Sequence, residues 1–301
     1  MVIANTAGKE TKTQKVLRVN ELFSGVGAQA KALERLDILH EITCTSDVDK
    51  DAVVSYAAIH CGLTPEIVEN YTDYPTRQEM ADYLTQLNLG LEFSKGENKP
   101  YNWQRLVKRK DKALEKYWLA AVISKQVGDI SRVDKLPKAD MWTYSFPCTD
   151  ISVAGRQEGI TQGTRSGLLL EVERLLLKSA ECDELPDYLQ LENVKNLVGN
   201  KFVKDFYRWL NFLESLGYVN HWTIMNAKDY GIPQNRERVF CISIKRELEQ
   251  DYEFPKPIPL EKRLKDVLES NVDEKYYLSA ESLENFQACF NDSENIGGGK
   301  H

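Results

Sequence analysis

An open α/β fold built on a mainly parallel sheet is the architecture that the 301-residue sequence predicts. Apolar, β-branched runs alternate with stretches of helical spacing along most of the chain. The first of these runs passes through a glycine turn into a helix, the opening unit of such a sheet. Composition agrees: with 42% hydrophobic and 28% charged residues, the chain can bury a large core and is unlike a disordered or fibrous sequence. No apolar run approaches the ~20 residues of a membrane span, so no membrane partner is expected.

The elements follow in order. Residues 1–15 are polar, lack the apolar stretch of a signal peptide, and read as the disordered lead-in of a cytoplasmic protein. Residues 16–22 read as a strand, 23–27 as a tight turn and 28–36 as a helix; 42–46 read as a second strand ending at Asp47, followed by a helix over about 49–60. Further strands are expected at 141–145, 188–192, 222–226 and 239–244, and helices at 168–178 and 203–216. In the last helix Val203, Phe206, Tyr207, Leu210, Leu213 and Leu216 share one predicted apolar face. Residues 70–127 interrupt the alternation and read as a polar, helix-rich insertion. The run Pro255-Lys-Pro-Ile-Pro259 reads as a stiff linker dividing a domain over 16–254 from residues 255–301, whose end reads as a chain stopping in mid-loop.

The turn Phe23-Ser24-Gly25-Val26-Gly27-Ala28-Gln29-Ala30 offers small residues where a ligand approaches backbone and helix N-terminus. Asp47, twenty residues beyond Gly27, stands where a carboxylate can take both hydroxyls of a ribose. This fits adenosine-containing cofactors in general; the turn alone does not separate NAD from S-adenosylmethionine, and a turn without a ligand is the plain alternative.

Six cysteines, at 44, 61, 148, 182, 241 and 289, stand singly with no CxxC pair, against both a disulfide framework and a zinc ribbon, and no metal is expected. Five are expected to be buried and inert. Cys148 is the exception: a strand runs directly into Phe146-Pro147-Cys148, and the proline places the thiol over the sheet edge where α/β sheets bind ligands. His40, His60, His221 and His301 stand in no context that suggests a base for a cysteine hydrolase, so addition to an activated ring is favoured over acyl transfer. Glu192-Asn193-Val194 ends another strand with an acid able to donate a proton to a ring nitrogen, the commoner role being a helix cap. In Gln234-Asn-Arg236-Glu-Arg238, arginines at i and i+2 are expected on one face, where forked donors suit a base oxygen or a phosphate; solvated charge is the default reading.

Taken together, Phe23-Ser-Gly-Val-Gly27, Phe146-Pro-Cys148, Glu192-Asn-Val194 and Gln234-x-Arg236-x-Arg238 stand in the order and approximate spacing of the cytosine-C5 DNA methyltransferases, and residues 16–280 resemble that family. Gly128-Asp129-Ile130 is similar to its adenine-contacting segment, 163–168 to its substrate-side loop and helix, and 264–268 with 275–278 to the stretch leading into target recognition. The insertion and Thr143-Tyr-Ser-Phe-Pro-Cys148 are similar to the CG-methylating enzyme of mollicutes.

The resemblance implies a Rossmann-like sheet with helices on both faces that binds S-adenosylmethionine, plus the start of a target-recognition region. It implies that Cys148 attacks C6 of a cytosine flipped out of duplex DNA, that Glu192 protonates or hydrogen-bonds N3, and that Arg238 lies near O2 with Arg236 and Gln234 supporting the loop. The cofactor is expected over Phe23, Ser24, Gly25 and Gly27, with Asp47 on the ribose, Val48 against the adenine, Asp129 on its amino group, and Ile130, Pro147 and Leu168 nearby. Restriction-modification or phage self-protection follows as the setting. Family members normally continue through a variable recognition domain to a Gly-Asn-Ser segment. The resemblance therefore implies a separate C-terminal polypeptide as partner, poor cofactor binding without it, and otherwise a monomer. A tRNA cytosine-C5 methyltransferase and a non-catalytic binding remnant are the alternatives; a nicotinamide oxidoreductase leaves the Pro-Cys and Glu-Asn-Val segments unexplained.

A formal net charge of −7 argues against a nucleic-acid partner. Residues 101–118, however, carry Arg105, Lys108, Arg109, Lys110, Lys112 and Lys116 against only Asp111 and Glu115. With screening over ~8 Å, such local charge outweighs the total, and a phosphate-contacting face and a solvated helix are both consistent with it.

Overall fold

Residues 15–94, 97–147 and 167–296 are described by the computed structural model. They divide into a first unit, Met1–Asn226 with Arg236–Lys256, and a second, Ala227–Asn235 with Pro257–His301.

The first unit is organised by β1 (Leu17–Leu22), β2 (His40–Ser46), β5 (Met141–Tyr144) and β6 (Tyr188–Val194), which pair in parallel in the order β2-β1-β5-β6. Helices α1 (Ala28–Arg35), α2 (Lys50–His60) and α7 (Leu168–Glu181) lie between them in the chain, as parallel connections require. The sheet is completed by β8 (Glu237–Lys245) and β7 (Tyr218–Asn226), both antiparallel to their neighbours. The connection over 227–236 is too short for a crossover helix, so β7 and β8 form a reversed pair and only part of the sheet is parallel.

Register explains why both faces are covered. Leu22, Tyr144 and Leu191 are laterally paired and share one face, where Trp209 of α8 (Val203–Ser215) donates from Nε1 to the Tyr144 hydroxyl at 3.1 Å. Glu21 and Thr143 point to the opposite face, which α1 and α2 cover: Ala30 N–H and Tyr56 O–H both donate to Glu21. The first core joins Leu22, Trp142, Tyr144 and Leu189 to Val172 and Leu175 of α7 and to Phe206 and Leu213 of α8. The buried stripe of α8 is Phe206, Trp209, Leu210 and Leu213. Tyr207, expected on that stripe, is exposed, because it lies one residue around the helix from Phe206 and Trp209 takes the inward position.

The insertion is helix-rich but not polar throughout. Helices α3 (Pro65–Asn70), α4 (Arg77–Gln86), α5 (Gln104–Val107) and α6 (Ala113–Ile123), with the short pair β3 (Glu92–Ser94) and β4 (Glu97–Lys99), surround a second core. Met80, Leu84, Trp103, Leu106, Leu114 and Leu119 pack there against Val53 and Ala57 of α2, so the polar residues that dominate the sequence are its outer surface. Arg77 clamps this layer. Its guanidinium donates to the carbonyls of Leu106 (2.7 Å), Val107 (3.0 Å) and Asp111 (3.3 Å) and pairs with the buried carboxylate of Glu115. After α6, residues 125–127 run beside β2 through a parallel bridge between Thr45 and Gln126.

In the second unit a 3-10 turn at Ala227–Asp229 precedes a parallel bridge between Tyr230 and Ile258, with Ile258 N–H donating to Asp229 O at 2.8 Å. Ile258 thus gives the proline-rich run a partner, and the division falls at 226/227, 235/236 and 256/257 instead of the single expected boundary. Turns at Leu264–Asp266 and Glu274–Tyr276 lead to α9 (Ala280–Ile296).

Arg77→Met removes four donors and strands a carboxylate that is 7% exposed. A loss of about 3 kcal/mol in urea unfolding is expected, with only partial recovery in Arg77→Lys, whose ammonium cannot fork.

Candidate active site

The carboxyl ends of β1, β2, β5 and β6 meet at one rim: Phe23, Ser24, Gly25 and Gly27 follow β1, Asp47 and Val48 follow β2, Pro147 follows β5, and Glu192 lies near the end of β6. At the end of β1 the backbone turns sharply: Phe23, Gly25 and Gly27 have φ of 55°, 52° and 83°. A Cβ on Gly27 would stand 2.3 Å from His60 Nε2, so only glycine fits there. Gly25 has nothing within 4 Å of its Cβ position and faces open space.

Asp47 ties this turn to β2. Its Oδ2 accepts from Gly25 N–H at 2.7 Å and its Oδ1 from Asp49 N–H at 2.8 Å, which among the described residues leaves one lone pair on each oxygen for a ligand hydroxyl. Burial raises its pKa, opposed by these N–H groups. Gln126, nearly buried, links the second carboxylate segment to the first: its Oε1 accepts from Asp47 N–H at 2.8 Å and Gly128 N–H at 3.1 Å. Ser46 Oγ donates to Gly128 O, and the Asp129 carboxylate accepts from Ser131 and Asn88. Val48 is half-buried beside Asp47, Ile130 is buried in the first core, and Leu168 packs against that core.

Two observations favour an adenosyl group without a pyrophosphate. Ser24 Oγ is buried with no hydrogen-bond partner among the described residues, between a left-handed Phe23 and the open Gly25. The first-turn N–H groups of α1, the seat of phosphates in dinucleotide-binding proteins, are met by the chain's own carboxylate: Glu21 accepts from Ala30 N–H at 3.3 Å and from Tyr56 O–H at 2.9 Å. Burial pushes Glu21 up to about 6, so it is an anion at neutral pH and repels a second one. The residues therefore fit S-adenosylmethionine and disfavour a nicotinamide dinucleotide.

On the substrate side Glu192 is held at both oxygens. Ser145 Oγ donates to Oε2 at 2.6 Å and Arg238 Nε to Oε1 at 3.0 Å, with 17% and 22% of the acid and arginine side chains exposed. The register causes this: Val194 faces Arg238 across β6 and β8, so Glu192 is its diagonal neighbour on the same face. Asn193, on the opposite face, donates from Nδ2 to Phe146 O at 3.0 Å and fastens the loop that leads to Cys148. Pro147 is half-buried; Cys148 and residues 163–166 lie outside the described residues.

Arg236 is exposed and precedes β8, and its backbone N–H donates to Asn226 Oδ1 at 3.0 Å. Gln234 belongs to the second unit and there lines a cavity of about 360 Å³ with Lys228, Lys262 and Arg263. The basic run forms the corner between α5 and α6 instead of one helix; Arg109 pairs with Asp111, while Lys112 and Lys116 lie over the rings of Tyr74 and Tyr117. Among the other cysteines, burial pushes Cys44 and Cys241 up to about 12, as expected of inert thiols. Cys182 is exposed and Cys61 half-buried, because both sit just past helix ends.

Sequence reasoning missed Ser145, Gln126 and Asn88. Strand alternation places Ser145 opposite Tyr144, on Glu192's side, and could have found it. Gln126 and Asn88 fall in the insertion and carry no local signal.

A family model described as C-5 cytosine-specific DNA methylase matches residues 76–300. The chain is 45% identical over 267 residues to the Type II methyltransferase M2.ScrFI of Lactococcus lactis subsp. cremoris, covering 87% of this chain and 70% of that protein. It is 40% identical over 278 residues to the orphan methyltransferase M.SssI of Spiroplasma monobiae, covering 90% and 69%. Among solved structures, Dnmt2 methyltransferase of S. pombe aligns with a TM-score of 0.52 at 19% identity over 91% of this chain and 66% of that one. The Entamoeba histolytica methyltransferase EhMeth aligns at 0.52 and 17%, over 89% and 64%. The last two likenesses bear on the fold alone. The chain spans roughly two thirds of the length of these relatives.

The raised pKa of Glu21 has a defined sign. Between its ordinary 4.5 and about 6 the folded chain holds a proton that the unfolded chain has released, so stability falls as pH rises through that window. Relative to Glu21→Gln, the wild type is expected to lose about 2 kcal/mol across it in urea titrations; parallel pH profiles would contradict the assignment.

Proposed function

The chain belongs to the C-5 cytosine-specific DNA methylase family, and from that premise we propose that it transfers a methyl group from S-adenosylmethionine to C5 of cytosine in duplex DNA through a covalent cysteine adduct. The observation that carries the mechanism is the Glu192 carboxyl anchored between Arg238 and Ser145, the latter three residues before Cys148 in sequence.

Cytosine C5 is a poor nucleophile until C6 carries a substituent. Cys148 as thiolate adds to C6, forming the S–C bond, while Glu192 hydrogen-bonds and protonates N3, where the ring's electron pair moves. Arg238 retains donors for the base oxygen O2 while holding Glu192, with Arg236 supporting the segment that leads into β8. When bound, S-adenosylmethionine supplies the electrophilic methyl group that C5 then takes. A base removes the C5 proton, the freed pair re-forms the C5–C6 double bond as the S–C bond breaks and Cys148 leaves as thiolate, and N3 returns its proton to Glu192. Phe23, Ser24, Gly25 and Gly27 bed the cofactor, Asp47 takes its ribose, and Val48, Asp129, Ile130, Pro147 and Leu168 line its adenine side.

The target cytosine is taken out of the helix, since neither face of its ring is accessible within the stack. Phosphate contacts from the basic residues lining the second unit's cavity are part of this reading. The setting proposed is restriction-modification or self-protection in the cytoplasm, in keeping with the names of the relatives as Type II and orphan methyltransferases. A polypeptide partner for the second unit belongs to the same proposal, supported by its exposed apolar side chains Leu264, Leu268, Tyr276, Tyr277 and Leu278.

Duplex DNA containing 5-fluorocytosine tests the covalent step, because fluorine at C5 blocks the elimination. With cofactor present, alone or supplemented with a C-terminal polypeptide, the chain is expected to form an adduct that survives denaturation. Cys148→Ser should form none, and Glu192→Gln should form it roughly 10²–10⁴-fold more slowly. Failure to form the adduct, or an adduct undiminished in Cys148→Ser, would overturn the mechanism.

A further inference from the structure

The insertion carries none of the motifs that the proposed activity uses, yet its turn over residues 87–91 grips the cofactor rim. Asp129 N–H donates to Leu87 O at 2.9 Å, Asn88 Nδ2 to Asp129 Oδ2 at 2.7 Å, and Gly90 N–H to Val48 O at 2.7 Å. Asn88 is 8% exposed and has a φ of 53°, a left-handed conformation that asparagine and glycine hold more readily than other residues. A buried carboxamide in such a backbone needs its hydrogen bond, and Asp129 is where it is made.

The lone pairs of Asp129 can be counted. Oδ1 accepts from both Ser131 N–H at 3.0 Å and Ser131 Oγ at 2.7 Å, which fills it. Oδ2 accepts from Asn88, and Arg132 Nε stands 4.0 Å away, beyond hydrogen-bond reach. Among the described residues one lone pair therefore remains, on the oxygen that Asn88 holds.

We propose that Asn88 is a positioning residue that aims the remaining lone pair of Asp129 Oδ2 at the exocyclic amino group of adenine, so that the insertion sets the preference for adenine over a 6-oxopurine. This rests on the cofactor site proposed above. A 6-oxopurine presents an acceptor where adenine presents a donor, and two acceptors repel. With the Asn88 carboxamide gone, Asp129 stays held through Oδ1 by Ser131, but Oδ2 loses the bond that fixes its direction. Gly90, by tethering Val48, keeps the apolar wall of the same pocket in register with the carboxylate.

The test is calorimetry of the full chain with S-adenosylhomocysteine and with S-inosylhomocysteine. The wild type should favour the adenosyl compound by about a hundredfold. Asn88→Gly keeps the left-handed backbone and removes only the amide; Asn88→Asp keeps the shape and sets a carboxylate against Asp129. Both should weaken S-adenosylhomocysteine by roughly five- to tenfold while changing the inosyl compound less, so the ratio narrows. If both variants keep the wild-type ratio, or weaken the two ligands equally, Asn88 has only a structural role and the inference falls. A wild type that binds both compounds without discriminating overturns it along with the role of Asp129; one that binds neither overturns the cofactor site itself.

Discussion

The glycine turn, the start of the first helix and the nature of the cofactor all depend on one buried carboxylate. Glu21, the next-to-last residue of β1, accepts from the first turn of α1 and from Tyr56 of α2, so it fixes two helices against the strand from which the turn springs. Burying an acid is costly, and this one is tolerated because the helix end supplies partial positive charge along with the hydrogen bonds. The same arrangement has a chemical consequence. A chain that already places its own anion at the helix N-terminus has no complementary seat for a phosphate.

A second constraint is the direction of the strands. Four parallel strands bring their carboxyl ends to one rim, so the turn after β1, the acid after β2 and the Pro-Cys loop after β5 converge although they are far apart in sequence. The basic partner comes from a strand running the other way. Arg238 is the second residue of β8; only because β8 is antiparallel to β6 does its beginning lie beside the end of β6, where Glu192 is. A parallel β8 would have carried Arg238 to the opposite rim. The short connection that forced the reversal is thus also what assembles the acid and the arginine, while Ser145 locks the acid from the β5 side.

Much of this could be read from the residues, and the rest could not for definite reasons. The strands and helices of the sheet announce themselves because apolar periodicity reports burial directly: the expected strand over 188–192 is the first part of β6, and the expected helix over 203–216 is α8 within a residue. The motif residues are equally visible, since chemistry demands particular side chains at particular strand ends. Pairing direction was not visible, because β7 and β8 look the same whichever way they run. The insertion was misjudged as polar because its short helices each offer only two or three inward residues, and Trp103 and Leu114 become a core only when four helices meet. Asn88 and Gln126 were invisible for the same reason: their importance lies in which distant carboxylate they touch.

The central claim is that the rim serves methyl transfer to cytosine C5 in DNA. Its most direct measurement is the identity of the methylated nucleoside after the chain, with any C-terminal partner present, is incubated with methyl-labelled S-adenosylmethionine and either duplex DNA or tRNA. Label is expected in 5-methyl-2′-deoxycytidine from the duplex, with background from the tRNA. Label confined to 5-methylcytidine from tRNA, or absent from both, would contradict it.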